Sequence, residues 1–307
     1  MRKVAVLMGG PSSEREVSFM SGRAVMSALQ SSGIDCIAFD PAERSVLELP
    51  SLNITHAFIA LHGRFGEDGT LQGALEVMGI PYTGSGVLAS ALALDKHRTK
   101  LIWKSCGIPT AAFEMMDDAE TSHAVLARFG GTVMVKPVSE GSSIGMRKAG
   151  DTDALKAALI DAKRYDTNVM VEAFIEGKEL TVSVLGRRVL PIIEIVAPEG
   201  KYDYQNKYFT DEVKYHCPAP LPPALSEAIQ RDTLRAFDAL GCKGWGRADV
   251  MISSKGEYFF LEVNTSPGMT GHSLVPIAAK AVGMSFPELC MEILQGASLE
   301  LGGRHVE

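Results

Sequence analysis

The residues best suited to chemistry are Arg247, Asp249, Glu262 and Asn264, near the C-terminus. The segment that contains them alternates apolar and polar residues on both sides of Lys255-Gly256, which is typical of a β-hairpin. A two-residue turn at Lys255-Gly256 would place Asp249 opposite Glu262 and Arg247 opposite Asn264, all on one face. The opposite face is then expected to pack inward with Val250, Ile252, Phe259, Leu261 and Val263.

Two carboxylates that face each other across a strand pair repel, so Asp249 and Glu262 favour a bound cation. Their oxygen ligands, with that of Asn264, suit Mg²⁺ or Mn²⁺ rather than zinc. Because Mg²⁺ held by few carboxylates also coordinates water and substrate phosphates, the hairpin indicates a nucleotide site. The alternative is a longer turn that pairs Glu262 with Arg247 in a surface salt bridge worth ~0–1 kcal/mol. The hairpin sequence leaves both interpretations open.

The elements upstream of the hairpin predict an α/β domain at residues 1–95, followed by two α+β domains at 96–178 and 179–307. The first domain alternates buried strands with helices, which predicts a doubly wound parallel sheet. Its strands are expected at Val4–Met8, Ile34–Phe39, Ile54–Leu61 and Ile80–Thr83, and its helices at Ser13–Leu29, Leu71–Met78 and Val87–Ser105. Ser13 and Glu16 have the spacing of a capping box at the first helix.

In the middle of the chain, two strands flank a polar glycine loop, Glu140–Gly145, that lacks the Gly-Lys-Ser/Thr of a P-loop. Its backbone N–H groups are weak evidence for anion binding. Strands are expected at Thr132–Val138, Ile144–Lys148, Val169–Ile175, Leu180–Leu185 and Val189–Val196, and helices at Asp153–Tyr165, capped by Asp151, and at Leu225–Leu240. Two short helices should follow the hairpin.

Composition restricts the class of protein. The 307-residue chain has 46% hydrophobic and 22% charged residues, which is typical of a soluble globular protein. A net charge of −7 argues against nucleic acid as the main partner. The five cysteines are scattered without a C-x-x-C spacing, which favours the reducing cytoplasm. Since no stretch approaches the ~20 apolar residues of a membrane span, we expect no membrane association.

Long motifs in both halves of the chain resemble those of the D-alanine–D-alanine ligase family. They are Gly9-Gly-Pro-Ser-Ser-Glu-Arg-Glu-Val-Ser18, His62-Gly-Arg-Phe-Gly-Glu-Asp-Gly-Thr-Leu-Gln-Gly73, and Glu262-Val-Asn-Thr-Ser-Pro-Gly-Met-Thr-Gly-His-Ser-Leu274 with Gly244-Trp-Gly-Arg-Ala-Asp249 before it. The resemblance follows the whole order of segments. It implies the ATP-grasp fold, with ATP between the central and C-terminal domains. It also implies ATP-dependent joining of two D-alanines for peptidoglycan synthesis.

The resemblance implies roles for residues at matching positions around the nucleotide. Asp249, Glu262 and Asn264 match ligands of two Mg²⁺ or Mn²⁺ ions, and Arg247 matches an arginine that steadies the transferred phosphate. Nucleotide contacts are implied for Lys96, Lys136, Ser143, Lys207 and Glu262 at the phosphates, for Glu172, Ala173, Phe174 and Ile175 at the adenine, and for Glu179 at the ribose. A solvated charge at Lys136 and an exposed acid at Glu172 are the simpler alternatives.

The substrate residues are implied in the same way. Glu14, with Ser142 and Tyr208, matches the group that binds the amine of the first D-alanine, and Ser273 and Leu274 match the position that holds the second carboxylate. Catalytic roles are implied for Glu14, His62, Ser142, Tyr208 and Arg247, and substrate contacts also for Val17 and Ser18. Glu14 has the simpler interpretation of an acid that complements a helix dipole, and His62 that of a core histidine.

The Tyr-rich segment 201–209 is expected to close as a lid that keeps water from an acyl phosphate. The resemblance implies that Tyr208 favours a dipeptide product, whereas phenylalanine at that position would favour a depsipeptide. Because Phe209 is adjacent, an alignment slip leaves D-lactate or D-serine as alternative second substrates. A nucleotide-binding regulator without catalysis would lack a metal ligand or a phosphate lysine, and the sequence lacks neither. The resemblance further implies a homodimer.

Overall fold

The computed structural model describes residues 3–118, 121–198, 202 and 212–300. The first of its sheets is parallel, with β1 (Lys3–Leu7) between β2 (Asp35–Phe39) and β3 (His56–Ile59). Alternate residues of β1 enter two separate cores, so the sheet is covered on both faces, as predicted. Its covering helices include α1 (Arg15–Ser31), the 3-10 helix Val46–Leu52 and α2 (Thr70–Met78).

Three predictions for this region are wrong. Helix α1 has Glu14 at its N-cap and no side-chain cap, so the capping box of Ser13 and Glu16 does not form. The strand expected at Ile80–Thr83 is reduced to isolated bridges of Tyr82, one to Ala57 and one to Ser298. The helix expected at Val87–Ser105 is two helices, α3 (Val87–Leu94) and α4 (Lys96–Ser105). It breaks because Asp95 is extended and caps α4 by accepting from the Arg98 N–H at 2.8 Å.

The second sheet is antiparallel, in the order β4-β7-β5-β6. These strands are β4 (Phe113–Met115), β5 (Val133–Pro137), β6 (Arg147–Ala149) and β7 (Val169–Ala173), and the helices packed on them are α5 (Ser122–Arg128) and α6 (Thr152–Ala162). Asp151 caps α6 as predicted, accepting from the Ala154 N–H at 2.8 Å. The strand expected from Ile144 begins only at Arg147, because the glycine loop extends further than predicted.

The third sheet is antiparallel, in the order β11-β10-β8-β12-β13, with β9 paired to β8. Its strands are β8 (Gly177–Leu185), β9 (Arg188–Val189), β10 (Ile193–Val196), β11 (Lys214–His216), β12 (Trp245–Ser253) and β13 (Tyr258–Asn264). The strand expected at Val189–Val196 is interrupted around Pro191, which has no N–H for the ladder. Helix α7 (Pro223–Leu240) packs with α3 and α4 on this sheet, and α8 (Leu274–Ala281) and α9 (Phe286–Gln295) close the described chain.

The hairpin of β12 and β13 has the predicted residue pairs, but its turn and register differ from the prediction. Asp249 lies opposite Glu262, and Arg247 lies opposite Asn264, as expected. The turn is longer than predicted, because the Ser253 N–H donates to the Glu257 carbonyl at 2.7 Å. A β-bulge next to Asp249 shifts the register back and compensates for the longer turn.

The bulge also changes which side chains are buried. Val250 pairs with Phe260 rather than Leu261, so Phe260 is completely buried. Phe259 and Leu261, which were expected in the core, are only partly buried. The predicted inward face is therefore wrong at these two positions, although the opposite, polar face is right.

Helix length was compared with that of a membrane span. Among the described residues, no single helix is both long and apolar enough to span a bilayer. Helices α8 and α9 meet the criterion only when they are taken together, across a bend of 106°. Both contribute buried residues to the core shared with α1.

Candidate active site

A polar cleft lies where loops of the three sheets converge. It is bounded by the start of α1, the loop after β3, the glycine loop after β5, the hairpin, and the loop that leads into α8. The predicted site residues that line it are Glu14, His62, Lys96, Ser142, Arg247, Glu262, Asn264, Ser273 and Leu274. The fold thus brings residues from both ends of the chain to one cavity.

The glycine loop meets the first helix through Ser142 and Glu14. The Ser142 hydroxyl donates a hydrogen bond to Oε1 of the buried Glu14 carboxylate. Ser142 and Ser143 have φ values of 51° and 61°, which few residues other than glycine adopt. A Cβ at Gly141 would lie 2.8 Å from Glu14 Oε2, so a larger residue there would displace the Glu14 carboxylate from its present position. The contact is what an anchor for a substrate ammonium needs, a buried carboxylate with a hydroxyl beside it.

Charged side chains hold the start of the glycine loop. The Ser139 N–H donates to Asp166 at 2.9 Å, and Arg64 reaches Glu140 at 3.2 Å and Asp166 at 3.4 Å. The Lys96 ammonium donates to the Glu140 carbonyl at 2.6 Å. The loop is therefore fixed to the β3–α2 loop and to the start of α4.

On the hairpin, each carboxylate has a cationic partner. The Arg247 guanidinium donates to both oxygens of Asp249 at 2.8 Å. Asp249 also accepts from Thr181 Oγ1 at 2.7 Å and from Asn264 Nδ2 at 3.1 Å. Glu262 lies 3.2 Å from the Lys96 ammonium. The sequence left open a shifted register that would place Glu262 opposite Arg247. This register does not form, because Arg247 lies opposite Asn264 and Asp249 lies opposite Glu262.

Asp249, Glu262 and Asn264 place oxygen donors on one face, and oxygen donors are what Mg²⁺ and Mn²⁺ prefer. No group of three or more His, Cys, Asp or Glu side chains suited to a metal is present in the part of the chain that the structure describes. This agrees with a donor set that has an amide as its third member. The residues fit a hard divalent cation whose remaining ligands come from water and phosphate.

His62 is buried, and both of its ring nitrogens are engaged. Nδ1 lies 2.8 Å from the Ser266 carbonyl, which can only accept, so Nδ1 carries the proton. Nε2 of the neutral ring then accepts from Ser21 Oγ at 3.0 Å, and Ser21 accepts from the Met269 N–H at 3.0 Å. Burial lowers the pKa of His62, which keeps the ring neutral. The geometry therefore favours a histidine that positions the 266–269 loop.

Glu67 is a cleft residue that sequence reasoning did not identify. Its carboxylate accepts from the Gly63 N–H at 2.8 Å and the Ser266 N–H at 3.0 Å. Burial and the nearby Glu14 carboxylate raise the pKa of Glu67 to about 7, although these N–H groups and Arg247 act in the opposite direction. Its position in the long motif from His62 to Gly73 was the available signal.

The predicted adenine and ribose residues, together with Lys136, are not part of the cleft lining. Glu172 is buried and forms ion pairs with Lys136 and Lys100, so the interpretation of an exposed acid is wrong. Lys136 is buried too, and the solvated-charge alternative is also wrong. Ala173, Phe174 and Ile175 continue from β7 and are partly buried, as is Glu179 on β8. The Lys148 ammonium lies 3.8 Å from the centre of the Phe174 ring.

The remaining substrate residues fall into two groups. Val17 and Ser18 are completely buried beneath Glu14, and the Ser18 hydroxyl donates to the Ala60 carbonyl at 2.7 Å, so both support the site from below. Ser273 is the N-cap of α8, which Leu274 begins. Helix N-termini present N–H groups to anions, so this position suits a carboxylate.

Two predicted residues, Lys207 and Tyr208, lie outside the described residues, as does Phe209. Of the predicted lid, residues 201–209, only Tyr202 is described, and it lines the cleft. Burial and the neighbouring Tyr215 raise the pKa of Tyr202, which keeps its phenol protonated.

Comparisons with known proteins agree on one family. Residues 102–295 match the model for the D-ala D-ala ligase C-terminus, and residues 41–85 match that for the D-ala D-ala ligase N-terminus. The chain is 56% identical to a D-alanine--D-alanine ligase of Azoarcus sp. (strain BH72), over 97% of this chain and 98% of that protein.

Solved structures give the same result for the fold. The D-alanine--D-alanine ligase of Bacillus anthracis complexed with ATP superimposes with a TM-score of 0.83 at 33% identity, over 96% of each chain. The VanG D-Ala:D-Ser ligase of Enterococcus faecalis superimposes with a TM-score of 0.80 at 30% identity, over 96% of this chain and 98% of that one. The overall fold is shared with both.

Proposed function

The chain belongs to the D-alanine–D-alanine ligase family, and from this we propose that it joins two D-alanines to D-alanyl-D-alanine with ATP, for peptidoglycan synthesis. The observation that carries the proposal is the contact between Ser142 and Glu14 in the same cleft as Arg247, which is paired with Asp249 on the hairpin. One end of the cleft suits an ammonium, and the other suits phosphate and its metal ions.

In the first step, the Glu14 carboxylate binds the ammonium of the first D-alanine, with Ser142 and Tyr208 beside it. A carboxylate oxygen of that D-alanine attacks the γ-phosphorus of ATP, and the bond to the ADP oxygen breaks. Lys96, Lys136, Ser143 and Lys207 bind phosphate oxygens, the backbone at Glu172–Ile175 binds adenine, and Glu179 binds the ribose. Two Mg²⁺ or Mn²⁺ ions held by Asp249, Glu262 and Asn264 would neutralise phosphate charge.

In the second step, the carboxylate of the second D-alanine binds at Ser273 and Leu274, on the N-terminus of α8. Its amine, once deprotonated, attacks the acyl carbon, and phosphate leaves with the bridging oxygen. Arg247 offers a fixed positive charge to the oxyanion of the tetrahedral intermediate. His62 and Glu67 position the 266–269 loop that precedes this helix.

The second candidate function is the joining of D-alanine to D-serine or D-lactate. It is favoured by the likeness to a D-Ala:D-Ser ligase, although the relative at 56% identity is named for the dipeptide. A competition assay with ATP, Mg²⁺ and equimolar D-alanine, D-serine and D-lactate separates the candidates by product mass. We expect D-alanyl-D-alanine to dominate at neutral pH, and a dominant mixed product would favour the second candidate.

The proposal also covers the fold, the domain boundaries, the oligomeric state and the location of the protein. We assign the ATP-grasp fold, with domains at 1–95, 96–178 and 179–307, a homodimer, a cytoplasmic location, and small-molecule substrates without nucleic-acid or membrane partners. Light scattering after size exclusion tests the dimer. A monomer at working concentration would contradict that part alone and leave the chemistry intact.

A further inference from the structure

A buried lysine that the proposed chemistry does not use lies one helical turn behind Lys96. Lys100 is completely buried, yet three oxygen acceptors lie near its ammonium. These acceptors are Thr110 Oγ1 at 2.7 Å, Glu172 Oε2 at 2.9 Å and the Phe260 carbonyl at 3.5 Å. Burial lowers the pKa of Lys100, and the Glu172 carboxylate beside it acts in the opposite direction by favouring the charged form.

Glu172 connects this lysine to a second one. Its Oε2 faces Lys100, and its Oε1 faces Lys136 on the neighbouring strand β5. Burial alone would raise the pKa of Glu172, but the two ammonium groups outweigh it and lower the pKa to about 2. The carboxylate is therefore ionised, and it is shared by two cations.

The strand register explains the geometry. Glu172 on β7 pairs with Met134 on β5. Lys136 is two residues after Met134 on β5, so it lies on the same face of the sheet as Glu172. A long side chain at this diagonal position can reach the carboxylate but has several rotamers to choose from. Because Lys100 fixes the other carboxylate oxygen, it restricts where Lys136 can place its ammonium.

The geometry points to Lys100 as a positioning residue for ATP, acting through Glu172 on Lys136. Two lysines against one carboxylate leave a surplus positive charge beside the nucleotide region, which an anionic ligand would neutralise. The inference rests on the proposed function, in which Lys136 contacts phosphate. The Lys100 ammonium faces protein acceptors, so the proposed effect of Lys100 on ATP is indirect.

The test is a double-mutant cycle on the full chain, with calorimetric binding of the non-hydrolysable ATP analogue AMP-PNP and Mg²⁺. We expect Lys136→Met to weaken binding about tenfold and Lys100→Met about fivefold. In the Lys136→Met background, Lys100→Met should add less than about twofold. The matched control is Lys104→Met, one turn further along α4 and exposed, which should leave binding unchanged.

Unchanged affinity in Lys100→Met well below its melting temperature, or an equal loss in both backgrounds, would overturn the inference and indicate a merely structural lysine. Unchanged affinity in Lys136→Met would instead refute the phosphate contact of the proposed function. If Lys100→Met does not fold, Thr110→Val removes one acceptor of the same ammonium. We then expect about a threefold loss that disappears in the Lys136→Met background, and unchanged affinity in Thr110→Val would overturn the inference.

Discussion

The Arg247 guanidinium holds the Asp249 carboxylate through two hydrogen bonds of 2.8 Å, one to each oxygen. Asp249 is a proposed metal ligand, so a cation that binds there competes with Arg247 for the same oxygens. The arginine and the metal are thus linked through one carboxylate. We predict that Asp249 would exchange partners when metal and phosphate bind, which would make Arg247 available to the phosphate.

Arg247→Met should therefore bind Mn²⁺ more tightly than wild type in the absence of nucleotide. Loss of a neighbouring positive charge should strengthen binding about tenfold, measured by electron paramagnetic resonance of free Mn²⁺. Turnover should fall at least about a hundredfold, because the oxyanion donor is lost. Arg235→Met, which breaks an arginine–aspartate pair outside the cleft, serves as the control. Mn²⁺ binding no tighter than wild type would refute the competition.

Glu262→Gln should fold normally and lose activity by about three orders of magnitude or more, because a carboxylate that holds metal becomes neutral. Circular dichroism and a coupled ADP-release assay measure the two effects. Glu257→Gln, at the exposed end of the same hairpin, should retain wild-type turnover. Near-normal turnover in Glu262→Gln would rule out Glu262 as a metal ligand.

The hairpin also shows how far the sequence could predict the site. Alternation was enough to place Asp249 and Glu262 on one face, because the period of a strand is strong and local, but their direct pairing also needed the bulge that offsets the longer turn. The bulge was not predictable, since it depends on packing of Phe260 against Trp103 of α4, a residue distant in sequence. Because the bulge compensates for the longer turn, the predicted pairs of Asp249 with Glu262 and Arg247 with Asn264 are right. The predicted buried face is wrong at Phe259 and Leu261.

Other site residues were beyond the reach of local patterns. Lys100 and Glu67 form their contacts with residues distant in sequence, Glu172 and Ser266. Helical spacing from Lys96 gave a signal for Lys100, but burial of a lysine is rare enough that a solvated charge was the default expectation. The break at Asp95 had a local signal, since aspartate is a common N-cap, yet the apolar periodicity on both sides concealed it.

Glu67 gives a prediction for pH dependence. Its pKa is raised from 4.5 to about 7 in the folded protein, so the folded state holds the proton more tightly than the unfolded chain. The contribution of Glu67 to the stability of wild type therefore falls as pH rises from 4.5 to about 7. Glu67→Gln cannot ionise, so the loss from its altered hydrogen bonds is nearly constant with pH.

The difference in unfolding free energy between wild type and Glu67→Gln should accordingly shrink by about 1 kcal/mol between pH 5 and 8. The full linkage value is larger, but solvent in the cleft reduces it. Urea denaturation at each pH measures the difference. A gap that stays constant or widens with pH would contradict the raised pKa.

The hairpin turn gives a prediction that is independent of chemistry. Gly256 has a φ of +83°, and a Cβ added there would meet nothing within 4 Å, so Gly256→Ala strains only the backbone. We expect a loss of about 1 kcal/mol in unfolding free energy. Gly73→Ala is the matched control, because that glycine lies inside α2, has no positive φ and is equally open.

Gly73→Ala should stabilise the protein by about 0.5–1 kcal/mol, since alanine is the better helix former. Thermal and urea denaturation of both variants measure the change in unfolding free energy, which should be a loss for Gly256→Ala and a gain for Gly73→Ala. Equal effects at the two positions would show that the turn conformation is not the one described.

The central claim is that a D-alanine carboxylate is phosphorylated and then joined to a second D-alanine. It is tested by supplying D-alanine labelled with ¹⁸O in both carboxylate oxygens, with ATP and Mg²⁺, and measuring the masses of the products. The account predicts D-alanyl-D-alanine, with one ¹⁸O in each released inorganic phosphate, because the bridging oxygen leaves with phosphorus. Dipeptide without label in phosphate, label in AMP, or no dipeptide at all would contradict it.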